Sequence, residues 1–138
     1  MILKKYKFLE HTADVKFQAF GRTPEKVFIN SAYALKKIIC ENIKVKKKTK
    51  KIIKLKGKDF ESLFYKFLEE IIYLVDAEDF LIRKVKRVKL KSFELKAIIE
   101  GDKASNYKFT NNAKASTYNE MFFKKIGNKW VGQAVIDV

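Results

Sequence analysis

The chain has 138 residues, of which 47% are hydrophobic, and this predicts one domain over residues 1–138 with a buried core rather than a disordered chain. It carries 31 lysines and arginines against 16 aspartates and glutamates, and its net charge of +15 favours a negatively charged partner. No stretch nears the roughly 18 apolar residues of a membrane span, and the amino terminus lacks a secretory signal. We therefore expect a cytoplasmic protein with no membrane partner. Cys40 is the only cysteine, so no internal disulfide is expected.

The first part of the chain is predicted to contain two short strands, a helix and a basic strand. Residues 4–9 and 15–20 show short apolar segments that bracket an HTAD turn. A helix then begins at a Thr23 cap followed by Pro24, the residue type favoured at the first helical position. Residues 43–55 include VKKKTKK and alternate lysine with β-branched residues, which indicates one basic strand at an edge or on an open face.

The second part is predicted to contain the longest helix and most of the strands. FESLFYKFLEEIIYLVDAED, after an Asp59 cap, keeps a continuous apolar stripe at helical spacing. Extended segments follow at residues 81–91 (with a bulge), 93–101, 116–125 and 129–138, the last two joined by an IGN turn. This order predicts an α+β fold, with a mainly antiparallel sheet packed against two main helices.

The excess of lysine has two explanations, which the residues alone leave equally weighted. A basic surface attracts nucleic acid, an anionic membrane or an acidic protein. A compositional bias toward lysine would instead spread solvated charge over every surface. Arginine, the residue usually chosen to grip phosphate with two hydrogen bonds, occurs only three times, at Arg22, Arg83 and Arg87. A basic RNA-binding module therefore stays an alternative function.

Carboxylates stand at two places that a sheet could bring together. Asp14 closes the HTAD turn, and the chain stops on the apolar segment AVIDV, which puts Asp137 beside the terminal carboxylate of Val138. Three oxygen donors without cysteine or a second histidine favour a hard cation such as Ca²⁺ or Mg²⁺ over zinc. Two simpler readings stay open: a lysine supplies the positive charge, or Asp14 forms a turn and Asp137 is an exposed chain end.

Several motifs together resemble one known family. EHTADV at residues 10–15, the long FESLFYKFLEEIIYLVD helix, KASTYNEM at residues 114–121 and the closing WVGQAVIDV look like the archease family, in the expected order and over essentially the whole chain. Archeases are small, non-catalytic activators of the GTP-dependent tRNA-splicing RNA ligase, and they promote its guanylylation and multiple turnover. The resemblance also implies a compact α+β fold containing a strand-helix-strand-strand module.

The resemblance assigns roles to particular residues. It implies that Asp14, Asp137 and an oxygen of Val138 bind a divalent cation, calcium in the clearest cases, with Mg²⁺ or Mn²⁺ as alternatives. Lys114 matches the lysine of the family's functional patch. Further matches by position, as residues of the ligase-activating patch, are His11, Thr12, Thr117 and Tyr118. Alternatively, His11 holds the turn through hydrogen bonds, and Thr117 and Tyr118 serve ordinary strand packing.

Three hypotheses of different classes follow. The first is an accessory protein that activates the RNA ligase, and the second is a module that binds RNA through its basic surface. The third is a metal-dependent hydrolase, which the scarcity of acidic residues and the lack of an evident general base disfavour. The family commonly has histidine after the threonine-tyrosine pair, whereas this chain has Asn119, which can still donate and accept hydrogen bonds but does not titrate.

Overall fold

The computed structural model describes residues 3–138, which form seven strands, two α-helices and one 3₁₀ turn. The helices are α1 (Pro24–Cys40) and α2 (Phe60–Glu78), and the 3₁₀ turn is Ala104–Asn106. The strands are β1 (Tyr6–Leu9), β2 (Val15–Gly21), β3 (Thr49–Lys56), β4 (Phe80–Lys91), β5 (Glu94–Lys103), β6 (Ala115–Ile126) and β7 (Lys129–Asp137).

The strands form two antiparallel sheets. A four-stranded sheet has the order β1-β2-β7-β6, and a three-stranded sheet has the order β3-β5-β4. The α+β class and the antiparallel pairing are confirmed, whereas the prediction of a single sheet is corrected to two. Along the chain, β3, α2, β4 and β5 have the order strand, helix, strand, strand.

Both helices begin at side-chain caps that their sequences predict. Thr23 Oγ1 accepts a hydrogen bond from the amide of Lys26, at 3.3 Å, and Pro24 follows the cap. Asp59 Oδ1 accepts from the amide of Ser62, while Ser62 Oγ accepts from the amide of Asp59, which closes a capping box. These bonds satisfy amide groups that have no partner inside the helix, so each helix starts at a defined residue.

The core lies where the helices meet the two sheets. Helix α1 contacts β2 and β4, and α2 contacts β6, β4 and β3, so each helix packs against strands of both sheets. Phe28 of α1 is fully buried and packs edge-on against Phe64 and Phe67 of α2, with ring centroids 5.9 and 5.3 Å apart. This two-sided burial explains the broad apolar stripes of the helices.

Two predicted strand boundaries are wrong. Residues 43–48 lie outside β3, and within them the Lys46 amide bonds to the Tyr107 hydroxyl. Phe93 is exposed and has a φ of 59°, since it belongs to the turn between β4 and β5. The predicted bulge in β4 is confirmed, at two register shifts. Within residues 3–138, neither helix has the length and apolar character needed to cross a membrane.

Candidate functional site

The sheet register brings the predicted carboxylates to one end of the four-stranded sheet. Val15 of β2 and Ser116 of β6 both pair with Ile136 of β7, so the three strands end together. Asp14 directly precedes β2 and Asp137 is the last residue of β7, so both stand at this end of the sheet. The carbonyl oxygen of Asp137 accepts a 2.8 Å hydrogen bond from the Lys114 amide. We call this set (Asp14, Lys114, Asp137 and Val138) the carboxylate end.

The two aspartates of the carboxylate end lack a compensating cation. Across residues 3–138, neither carboxylate has a lysine, arginine or histidine nitrogen within 4.0 Å. Asp14 is half-buried and Asp137 is exposed, and Ile136 beside them is fully buried. The reading in which a lysine neutralises these groups therefore finds no support in the described residues, Lys114 included.

The donor set of the carboxylate end fits a hard cation in part. Asp14, Asp137 and the terminal carboxylate of Val138 offer oxygen only, which suits Ca²⁺ or Mg²⁺ and disfavours zinc. The described residues hold no group of three or more histidine, cysteine, aspartate or glutamate side chains arranged for a metal. A cation bound here would need a main-chain or terminal oxygen of Val138 as its third protein ligand, with water completing its coordination shell.

His11 ties the HTAD turn to β6 through a carboxylate that the sequence analysis missed. Its Nε2 donates to Glu120 Oε2 at 2.9 Å, and Lys16 Nζ lies 3.4 Å from Glu120 Oε1. The hydrogen bond from His11, followed by that from Lys16, lowers the pKa of Glu120. This contact spans 109 positions of sequence and holds the turn that carries Asp14 against the sheet.

Glu120 reaches His11 because β6 is bulged. The register jumps from Thr117 opposite Val135 to Phe122 opposite Gln133, and Glu120 itself has a φ of 54°. A bulge re-aims side chains beside a site. One signal was present in the sequence, because Glu120 is the only carboxylate between Asp102 and Asp137.

The remaining predicted residues occupy the same region with different partners. Thr117 Oγ1 donates to the Val135 carbonyl at 3.1 Å, so this hydroxyl serves the strand. Tyr118 stacks on Tyr65 of α2, with ring centroids 4.2 Å apart and planes 7° from parallel, and is 55% exposed. Thr12 and Lys114 are exposed. A second missed carboxylate is Glu69, which accepts from the Ser116 amide at 2.5 Å and so anchors α2 to the start of β6.

Comparison of the sequence with known proteins identifies the family of the chain. Residues 6–138 match the Archease protein family (MTH1598/TM1083). Among similar proteins, the "Protein archease" of Methanosarcina mazei is 35% identical over 141 residues, covering 98% of this chain and 97% of that protein. The "Protein archease" of Pyrobaculum neutrophilum is 37% identical over 139 residues, covering 96% and 95%.

Solved structures share the fold. The solution structure of Methanobacterium thermoautotrophicum protein 1598 superposes with a TM-score of 0.80 at 22% identity, covering 99% of this chain and all of that one. The crystal structure of an archease from Thermotoga maritima, described as a possible chaperone, gives a TM-score of 0.64 at 22% identity, with 96% of each chain covered. With a family match over nearly its full length and relatives above 30% identity, the chain belongs to the Archease family.

Proposed function

We propose that this protein is an accessory activator of the GTP-dependent tRNA-splicing RNA ligase, and that it acts through a divalent cation held at the carboxylate end. Family membership supports the role. The single observation that supports the site is the register, which pairs Val15 with Ile136 and so brings their chain neighbours Asp14 and Asp137 to the same end of the sheet, although 123 positions separate them in the sequence.

The ligands would come from three parts of the chain. Asp14 would supply one carboxylate from the HTAD turn, and Asp137 and Val138 would supply oxygens from the end of β7. A bound cation would offset the repulsion between these anions and provide a positive charge for a partner's phosphate or carboxylate. Lys114, held beside Asp137 through its amide, would present a second positive charge at the rim.

An activator role, rather than catalysis, fits the inventory of reactive groups. Cys40 is 2% exposed, and burial raises the pKa of its thiol, which is the setting of an inert structural cysteine. His11 is the only histidine, and it is already bonded to Glu120. Guanylylation by a ligase depends strongly on metal and phosphate geometry, so a helper that orders those groups can change the rate without a nucleophile of its own.

The test is ligation under multiple turnover. The protein is added in substoichiometric amounts to the RNA ligase of the same organism with GTP and excess RNA, and joined products are counted per ligase. We expect many ligations per ligase with the wild type and about one with Asp14→Asn/Asp137→Asn. A wild-type protein that leaves the ligase at a single turnover would overturn the proposed role, whereas equal stimulation by the double variant would overturn the site alone.

A further inference from the structure

The outward side of the three-stranded sheet carries a pattern of cations that we call the basic face. Side chains that pair across neighbouring strands point to the same side and stand in rows. The opposite side packs into the core, where Ile53, Leu95, Ala97 and Ile99 are buried. In order along the sheet, the outward rows are Lys50–Glu100–Lys84, Ile52–Ile98–Arg87, Lys54–Lys96–Lys89 and Lys56–Glu94–Lys91.

The central row of the basic face consists of lysine alone. Lys54, Lys96 and Lys89 stand on adjacent strands, whose backbones lie about 4.8 Å apart. Like charges directly opposite each other destabilise a sheet. Within residues 3–138, none of these three ammonium groups has a carboxylate within 4.0 Å.

Crowding of positive charge continues toward the first row. The approach of the Lys50 ammonium group is the largest cause of the lowered pKa of Lys86, a bulge residue of β4. Glu100 offsets part of this charge. It is 1% exposed, and its carboxylate lies 2.9 Å from Lys47 Nζ and 4.0 Å from Lys84 Nζ. At the other end, Lys56 Nζ lies 3.8 Å from Glu94 Oε1 in the fourth row. The fold therefore compensates cations at both ends of the basic face and leaves the lysine row between them without a counter-charge.

The lysine row borders a depression of about 440 Å³. Leu55, Leu90 and Leu95, which pair across the three strands in a row between the charged rows, line its floor. The charged residues around this floor all stand in the outward rows: Lys54, Lys56, Lys89, Lys91, Glu94 and Lys96. The result is a concave surface rimmed by five cations and one carboxylate.

We propose that the basic face binds the phosphate backbone of RNA without regard to sequence, with the row of Lys54, Lys96 and Lys89 at its centre. This would be a second function of the protein, separate from the cation site. Lysine contacts phosphate as a point charge rather than through a two-bond fork. The outward rows contain no aromatic side chain on which a base could stack, so the contact reads charge and not base identity.

The geometry favours an RNA chain over a lipid surface. Successive outward rows lie about 6.7 Å apart along the strands, so lysines recur along a line that an extended phosphate chain can follow. A membrane-bound surface also needs apolar side chains that can enter the acyl region. The rows contain two, Ile52 at 58% exposure and the half-buried Ile98, and both stand between cationic rows.

The test measures RNA binding by the isolated protein, so its outcome does not depend on the ligase. Fluorescence anisotropy of a labelled, unstructured RNA oligonucleotide is recorded over a range of salt concentrations. The row variant is Lys54→Gln/Lys89→Gln/Lys96→Gln. The matched control, Lys26→Gln/Lys108→Gln/Lys125→Gln, removes three exposed lysines elsewhere and has the same net charge.

We expect the row variant to bind RNA about tenfold or more weakly than the wild type. The slope of log K against log salt should become less steep by about 2, since each of three lost phosphate contacts on a single strand contributes roughly 0.7. The control should keep the wild-type slope. Equal losses in both variants, or no RNA binding by the wild type, would overturn the proposal. So would binding to phosphatidylserine vesicles that the row variant loses while it keeps RNA binding.

Relief of repulsion among the three lysines should leave the melting temperature of the row variant at or above that of the wild type. A lower melting temperature would contradict the account of the row.

Discussion

The carboxylate end and the basic face are clusters of like charge with opposite sign, and they belong to different sheets. At the first, two aspartates stand at one end of a sheet and, within residues 3–138, neither has a cationic side chain within 4.0 Å, although the chain carries 31 lysines and arginines. At the second, three lysines meet without a carboxylate. The inward sides of both sheets are occupied by helices, so like charge collects only at strand ends and outward faces. We propose that each cluster binds a ligand of opposite charge, a metal ion at one and phosphate at the other.

The largest effect is expected from a variant that disrupts the carboxylate end and leaves the basic face intact. Asp14→Asn/Asp137→Asn should lower calcium affinity by roughly 100-fold or more, because two of the three proposed protein ligands lose their charge. At a calcium concentration 100 times its Kd, the wild type should gain about 2.7 kcal/mol in free energy of unfolding, and the variant should gain almost none. Thermal melting with and without calcium measures both.

A matched control separates the site from general charge. Glu10→Gln/Glu25→Gln removes the same charge from the HTAD segment and from the first turn of α1, and it should keep the calcium-dependent gain in stability. RNA affinity should be nearly unchanged in both double variants. If the control also lost the calcium response, the assignment of Asp14 and Asp137 as specific ligands would be wrong.

The next effect concerns the buried carboxylate of the basic face. Contact with Lys47 is the largest cause of the lowered pKa of Glu100 in the folded protein. Its contribution to stability is therefore complete above the unfolded value of about 4.3 and is lost as the pH falls through the lower folded value. Glu100→Gln should melt below the wild type at pH 7, and the gap should close in acid below about pH 4. A gap that is constant with pH would contradict this account.

A smaller effect is expected where the HTAD turn is tethered. His11→Ala removes the hydrogen bond to Glu120, which is worth about 1 kcal/mol and so about fivefold in an equilibrium constant. If the tether positions Asp14, calcium affinity should fall by about that factor, well short of the loss in the double aspartate variant. Glu120→Gln keeps an acceptor for His11 and should retain most of the wild-type calcium affinity. An unchanged calcium affinity in His11→Ala would assign the histidine to the turn alone.

The smallest effect is a gain in stability. Lys96→Gln removes the middle charge of the lysine row and should raise the free energy of unfolding by about 0.5 kcal/mol at low salt, with less gain at high salt. Lys108→Gln is the matched exposed control and should change stability little. Chemical denaturation at two ionic strengths tests this, and a destabilised Lys96→Gln would show that the row is not repulsive.

Local signals in the sequence predicted most of the elements. The Thr23 and Asp59 caps, the apolar stripe of α2 and the Gly127 turn, with its φ of 62°, act within a few residues of where they appear. The division into two sheets was not predictable in this way. It depends on which strands pair, and β2 pairs with β7 from the far end of the chain.

The candidate site was likewise predictable only where local sequence signals were present. The residue types at Asp14, Asp137 and Val138 indicated oxygen ligands for a cation, and family resemblance supplied their roles. Glu120 was missed because it reaches His11 only through the bulge of β6. Glu69 was missed because its bond to the Ser116 amide depends on how α2 packs against β6. The composition showed only an excess of lysine. The lysine row of the basic face could not be predicted from it, since the row forms only when three strands pair.

We propose that the carboxylate end binds a divalent cation through Asp14, Asp137 and an oxygen of Val138. Backbone amide NMR during a calcium titration tests it most directly. We expect saturable shift changes confined to residues 11–16, 114–118 and 134–138, and their loss in Asp14→Asn/Asp137→Asn. Shift changes scattered over surface carboxylates, or identical changes in the double variant, would contradict the claim.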